Sequence, residues 1–80
     1  MNTIRGTLGQ LDDRDGEVIG LIRCDEDNGL VFIHVPVDVT ARLGGGLFVA
    51  GRKVELSGHM CDHERYLVVT DAKAGEDDVV

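Results

Sequence analysis

The chain has 80 residues, so it forms one small domain whose stability depends on a compact, closed topology. Aspartate and glutamate outnumber lysine and arginine 15 to 8, for a formal net charge of -7. The field of such a molecule repels phosphate backbones and attracts basic partners, which argues against a simple nucleic-acid binder.

The sequence predicts a cytoplasmic protein without membrane contact. No apolar run is long enough to span a bilayer, and no charged-then-apolar leader follows Met1. Two cysteines, Cys24 and Cys61, do not make a disulfide framework, and in a reducing compartment we expect them to be free thiols.

Three strands joined by turns are predicted in the first 35 residues. Apolar side chains alternate or run continuously along each strand, and each turn is rich in aspartate with a glycine that permits a positive φ. Gly9 allows a bulge or a close strand crossing in the first strand, and the Asn28-Gly29 pair is a strong hairpin signal before the third. In chain order these segments are the strand 3–12, the turn 12–16, the strand 18–22, the turn 25–29 and the strand 29–35.

The third strand has two faces of different chemistry, because successive side chains of a strand point to opposite sides. The side that suits a core is Val31, Ile33 and Val35. The other side carries Leu30, Phe32 and His34. An aromatic ring and an imidazole that point outward are more typical of a binding surface than of a scaffold.

A long connection and a second hairpin follow. Pro36 ends the third strand, residues 37–43 predict a short helical turn, and the glycine triplet 44–46 predicts a loop. No Lys-Ser or Lys-Thr follows the glycines, so a phosphate-binding loop is not indicated. The remaining strands are expected over 52–58, with Val54 and Leu56 inward, and over 65–72.

A meander of three strands, a long connection and a two-strand hairpin are the element order of the oligonucleotide-binding (OB) barrel. We therefore expect an all-β, five-stranded OB-fold. Its single domain would cover residues 1–74, and a flexible acidic tail would follow over 75–80.

Three segments resemble the bacterial cold-shock domain. Glu17-Val18-Ile19-Gly20-Leu21-Ile22 and Val31-Phe32-Ile33-His34-Val35 are similar to two strand motifs of that family, and Gly51-Arg52-Lys53-Val54-Glu55-Leu56 is similar to the start of its fourth strand. The resemblance extends from about Gly6 to Ala72. It implies a barrel that binds single-stranded DNA or RNA by stacking bases on surface aromatic rings.

The positions that would form the stacking surface differ from the family. Cold-shock domains use a lysine-glycine-phenylalanine-glycine-phenylalanine run and an early tryptophan, because every base has a π-face. In this chain the corresponding residues are Glu17 for the lysine, Ile19 and Leu21 for the phenylalanines and Gln10 for the tryptophan. Stacking is worth roughly 1–3 kcal/mol per base, so we expect severely weakened binding, with Phe32 and His34 left to stack.

The sequence favours a non-catalytic module that binds through Ile19, Leu21, Phe32 and His34. An apolar patch with an acidic surround is typical of a protein interface, either with a partner or with a second copy in a homodimer. The acidic charge favours a basic protein as the partner. As an inhibitor or regulator, this protein would occupy a basic site of the partner in the way that nucleic acid would. In the competing interpretation, the connection 36–51 covers Ile19 and Leu21 and leaves no patch.

A second hypothesis keeps single-stranded nucleic acid as the ligand. Phe32, His34 and Tyr66 would stack on bases. The residues that would neutralise phosphates are Arg5, Arg23, Arg52 and Lys53.

A metal site and an enzyme are both disfavoured. His59, Cys61 and His63 alternate and carry donors that suit Zn²⁺ or a softer metal, but a hairpin loop rarely holds such a row, so we expect a polar surface loop and no cofactor. Cys61 has no recognisable oxyanion site beside it, and no carboxylate pair is placed in a cleft by pattern.

Overall fold

Five strands close into a barrel in the computed structural model, which describes residues 2–61 and 65–75. The elements are β1 (Asn2–Arg14), β2 (Glu17–Cys24), β3 (Leu30–Val35), α1 (Val37–Leu43), a 3₁₀ turn (Gly45–Leu47), β4 (Lys53–Met60) and β5 (Tyr66–Ala74). The order around the barrel is β1-β2-β3-β5-β4, and β3 and β5 are parallel. The predicted OB-fold-like, all-β barrel is confirmed.

β1 is the strand that allows the barrel to close, because it pairs with β2 on one side and β4 on the other. Its register with β2 shifts between Leu8 and Leu11, so of the two alternatives predicted at Gly9, a bulge or a close strand crossing, the structure has the irregularity typical of a bulge. At Gly6 a Cβ atom would lie 2.0 Å from the backbone oxygen of Arg23, so the close strand crossing requires glycine.

The predicted β1–β2 and β2–β3 hairpins form, but their turns differ from the prediction. Asp15 and Gly16 both have positive φ, 54° and 87°, so a two-residue turn of the type I′ class joins β1 to β2 and β1 continues to Arg14. In the β2–β3 loop the positive φ of 59° falls on Asn28, and the backbone N–H of Cys24 donates to the oxygen of Gly29. The Asn-Gly pair therefore ends a longer loop and does not itself form the turn.

The core fills the barrel with side chains that alternate along the strands. The inward positions predicted on β3 and β4 are confirmed, since Val31, Ile33, Val35, Val54 and Leu56 are all buried. β4 and β5 each extend two residues beyond the predicted ends, because they remain paired with each other.

The helix closes one end of the barrel. α1 has the bounds that the sequence predicts, and its Val39 is buried together with Phe48 of the following loop. The Thr40 hydroxyl donates to the backbone oxygen of Gly16, which ties α1 to the β1–β2 turn. Gly44, with a φ of 81°, ends the helix.

The last described residue is Gly75, whose N–H donates to the backbone oxygen of Lys53. The rest of the predicted acidic tail, 76–80, lies outside the described residues. Within residues 2–61 and 65–75, no helix has the length and apolar character needed to cross a membrane.

Candidate docking face

The outer surface of β2, β3 and β5 forms a grid of paired residues. Strand registers place Ile19 beside His34 and Val68, Leu21 beside Phe32 and Tyr66, and Arg23 beside Leu30. We refer to these eight residues as the docking face. It contains all four predicted binding residues, so the structure brings Ile19, Leu21, Phe32 and His34 together.

Half of the docking face is open to solvent, since four of its eight residues are exposed and four are partly buried. Phe32 is 58% exposed, Leu30 50% and Ile19 40%, while Leu21 is partly buried. The connection 36–51 therefore does not cover the face, and the competing interpretation from the sequence is not what the structure shows. Exposed apolar side chains of this size, arranged in adjacent rows, are a feature of interaction surfaces.

A cleft of about 610 Å³ lies at the β1 edge of the docking face. Leu11, Ile19, Leu21 and Phe32 line it, and Ala50 of the long connection forms part of its wall. The bulge in β1 helps to shape this cleft, because it breaks the regular pairing of β1 with β2 between Leu8 and Leu11. The cleft is shallow and mainly apolar.

The end of the docking face nearest the β1–β2 turn is acidic. Asp12 is bound by Arg14, with 2.8 Å between the carboxylate and Nε, and Glu17 lies 3.4 Å from Nε2 of His34. Asp15 lies in the turn itself, whereas Asp13 accepts the N–H of Gly16 and lines a cavity next to α1. Within the described part of the chain neither has an ion-pair partner. Negative charge therefore exceeds positive charge at this end.

Among the described residues, the opposite end of the docking face is close to neutral and carries Arg23. The carboxylates of the β2–β3 loop have cationic neighbours, with Asp25 3.6 Å from Lys53 and Asp27 3.2 Å from Arg65. The N–H of Gly29 and the Arg65 guanidinium lower the pKa of Asp27. Among residues 2–61 and 65–75, no carboxylate lies within ion-pair distance of Arg23.

The residues predicted to contact nucleic acid are divided between two surfaces. Arg23 and Tyr66 lie on the docking face. Arg5 instead lies opposite Glu55 on β1 and β4, and its Nε donates to that carboxylate at 2.7 Å. Lys53 faces Asp25, and Arg52 donates to the backbone oxygen of Gly46 at 3.1 Å.

Glu55 organises the cationic side chains on the surface of β1, β4 and β5. Its carboxylate also lies 3.1 Å from Nζ of Lys73, and its side chain is only 15% exposed. Hydrogen bonds from Arg5 and Lys73 lower the pKa of Glu55. These cations therefore stabilise a carboxylate of the same chain and lie away from the aromatic rings of the docking face.

The two cysteines lie at the end of the barrel that holds the β2–β3 loop. Cys24 and Cys61 are free and line one cavity of about 870 Å³, and burial raises the pKa of the Cys24 thiol. His59 and Cys61 are exposed, and His63 lies outside the described residues. In the described ranges, no group of three or more histidine, cysteine, aspartate or glutamate side chains could hold a metal ion.

Two members of the docking face were not singled out by the sequence as binding residues. Val68 stands in the continuous run Leu67-Val68-Val69, where alternation is hidden, and it reaches the face through the parallel pairing of β5 with β3. Leu30 lies on the outward side that alternation along its strand predicts. That alternation is a sufficient signal to include Leu30 among the binding residues.

No family model matches the chain, and no curated protein matches it in sequence. The resemblance to cold-shock domains therefore stays a prediction.

Proposed function

We propose that this protein is a non-catalytic, OB-fold-like binding module that docks a protein partner with a basic surface. The observation that carries the proposal is the exposure of Ile19, Leu30 and Phe32 in adjacent rows beside an acidic region. This region, the acidic turn, consists of the β1–β2 turn and the acidic residues in and beside it, which are Asp12, Asp13, Asp15 and Glu17. The module would act as an inhibitor or regulator by occupying a basic site on the partner.

Apolar contact would supply most of the affinity. Full burial of an aliphatic or aromatic side chain stabilises by about 1.5–3 kcal/mol, and three such residues here are still at least two-fifths exposed. The acidic turn would mainly accelerate association with a basic partner and fix its orientation, which is the usual contribution of surface charge.

The ion pairs that the basic residues form within the chain support a protein partner over nucleic acid. Six of the eight lysine and arginine residues lie within ion-pair distance of a carboxylate of the same chain. They are Arg5, Arg14, Arg42, Lys53, Arg65 and Lys73. A phosphate would have to compete with these carboxylates, and the net charge of -7 would oppose its approach.

The test is quantitative affinity purification of partners with the wild type and with Leu21→Asp and Phe32→Ala. We expect both variants to lose the partner, because one places a charge in the apolar face and the other removes its most exposed ring. Val37→Asp is the matched control, since Val37 is 52% exposed but belongs to α1. Retention of every partner by Leu21→Asp and Phe32→Ala would refute the proposal.

A second candidate function is single-stranded nucleic-acid binding, favoured by the pairing of Phe32 with Tyr66 and by Arg23 on the same face. Fluorescence anisotropy of labelled single-stranded DNA and RNA at low salt separates the two. If the face serves a protein, the oligomers remain unbound. Binding that falls steeply with salt and weakens in Phe32→Ala would establish the nucleic-acid function instead.

A further inference from the structure

We infer that a second copy of this chain covers the docking face when no other partner is bound. The two copies would form a two-fold symmetric dimer in which Arg23 of each contacts the acidic turn of the other. This inference rests on the proposed docking role of the face, and it adds that self-association competes with the partner for the same residues.

The row formed by Leu21, Phe32 and Tyr66 is the natural position for the two-fold axis. An axis along this row makes each of its residues meet the same residue of the second copy, so the apolar centre is buried against itself. The row that contains Ile19 then meets the row that contains Arg23. The interface is isologous and leaves no open end for further copies.

The charges of the docking face are self-complementary in this arrangement. Arg23 faces Ile19 of the second copy, and the neighbouring position across β1 is Asp12, about 4.8 Å away at one strand spacing. Glu17 lies two residues along the same strand, about 6.7 Å away. Both carboxylates are within the reach of an arginine that has no carboxylate partner in the described part of its own chain.

The alternative two-fold axis, parallel to the strands, is unfavourable. It brings each row onto the same row of the second copy, so the end that carries Arg23 meets the same end and the acidic end meets the acidic end. Like charges placed opposite each other oppose association. Charge therefore selects the axis along Leu21, Phe32 and Tyr66.

The size of the face implies a weak dimer that exchanges with monomer. Three rows on three to four strands form a patch of about 15 Å in each direction, below the ~800 Å² per partner of a standard stable interface. The charge of -7 on each copy adds a repulsion that salt screens over about 8 Å at physiological ionic strength. Such a dimer masks the face but yields to a partner with a larger contact area.

The experiment is sedimentation equilibrium of the full chain at concentrations up to about 1 mM, since a weak dimer appears only by mass action. The samples are the wild type, Arg23→Glu, Asp12→Lys and an equal mixture of the two variants. We expect each variant alone to dimerise roughly tenfold more weakly, because both of its symmetric contacts become repulsive. The mixture should return to within about threefold of wild type, because the introduced glutamate then faces the introduced lysine.

A change in net charge alone would not produce the weaker dimerisation expected for Asp12→Lys. Asp12→Lys raises the net charge by two, from -7 to -5, so general repulsion alone would make it dimerise more strongly than wild type. The proposed register requires the opposite. A wild type that stays monomeric, or a mixture no more associated than its separate components, would overturn the dimer but leave partner docking standing. Whether the face docks a partner is decided separately, by affinity purification with Leu21→Asp.

Discussion

Gly6 sits where β1 crosses β2 so closely that no side chain fits, with a Cβ atom 2.0 Å from the backbone oxygen of Arg23. We predict that Gly6→Ala destabilises the protein by about 1–3 kcal/mol or more, because the clash is with backbone and cannot be relieved by a rotamer change. Gly46→Ala is the matched control, since open space surrounds that position, and it should stay within about 0.5 kcal/mol. Urea unfolding followed by circular dichroism measures both, and equal losses would contradict the argument.

Glu55 should make stability depend on pH. Hydrogen bonds from Arg5 and Lys73 depress its pKa in the folded state. A depressed folded pKa gives stability that is present above the ordinary value of about 4.3 and is lost as pH falls through the folded value.

We therefore predict that Glu55→Gln lowers stability at neutral pH and reduces the slope of stability against pH on the acid side of about pH 4.3. Urea midpoints measured over this range test it. Asp27, whose pKa is also lowered, keeps part of the slope in both proteins, so the informative quantity is their difference. Parallel curves for the wild type and Glu55→Gln would contradict the prediction.

At the scale of elements, the chain's two phenylalanines have opposite roles. Phe48 follows the 3₁₀ turn and is 9% exposed, and with Val39 of α1 it closes the end of the barrel. Phe32 is 58% exposed on β3. One aromatic ring therefore belongs to the core and the other to the docking face.

We predict that Phe48→Ala costs about 3–5 kcal/mol and that Phe32→Ala costs less than about 1 kcal/mol, since large core truncations lose both transfer energy and packing. The same urea measurements decide this. Because the two substitutions are chemically identical, a comparable loss for Phe32→Ala would mean that its ring supports the fold and would weaken its use as a docking variant.

The sequence predicted α1 and the strands better than it predicted the turns. Alternating apolar residues and Pro36 are local signals, so the bounds of α1 and the inward side of β3 could be read from them. The β1–β2 turn is tighter than its aspartate-rich composition indicates, because Asp15 itself adopts a positive φ beside Gly16. Composition shows that a turn exists but does not select which two residues form it.

At the scale of the whole molecule, the net charge does not show that acidic and basic side chains lie on different parts of the surface. Within residues 2–61 and 65–75, unpaired acidic side chains lie at the β1–β2 turn, whereas Arg5, Glu55 and Lys73 form one paired row across β1, β4 and β5. Arg23 remains on the docking face without a carboxylate neighbour among the described residues. In the proposed function, the net charge favours a basic partner, and this distribution of charge sets the orientation in which the partner binds.

The sequence by itself determined which side chains enter the core and which side of β3 stays outside, because alternation is a local property of each strand. Only the tertiary structure decided that Tyr66 lies beside Phe32 and Val68 beside His34, since the parallel β3–β5 pair joins segments more than thirty residues apart. Barrel closure likewise placed Arg5 against Glu55 and left Arg23 on the docking face. Contacts of this kind depend on strand register around a closed barrel, which no single segment encodes.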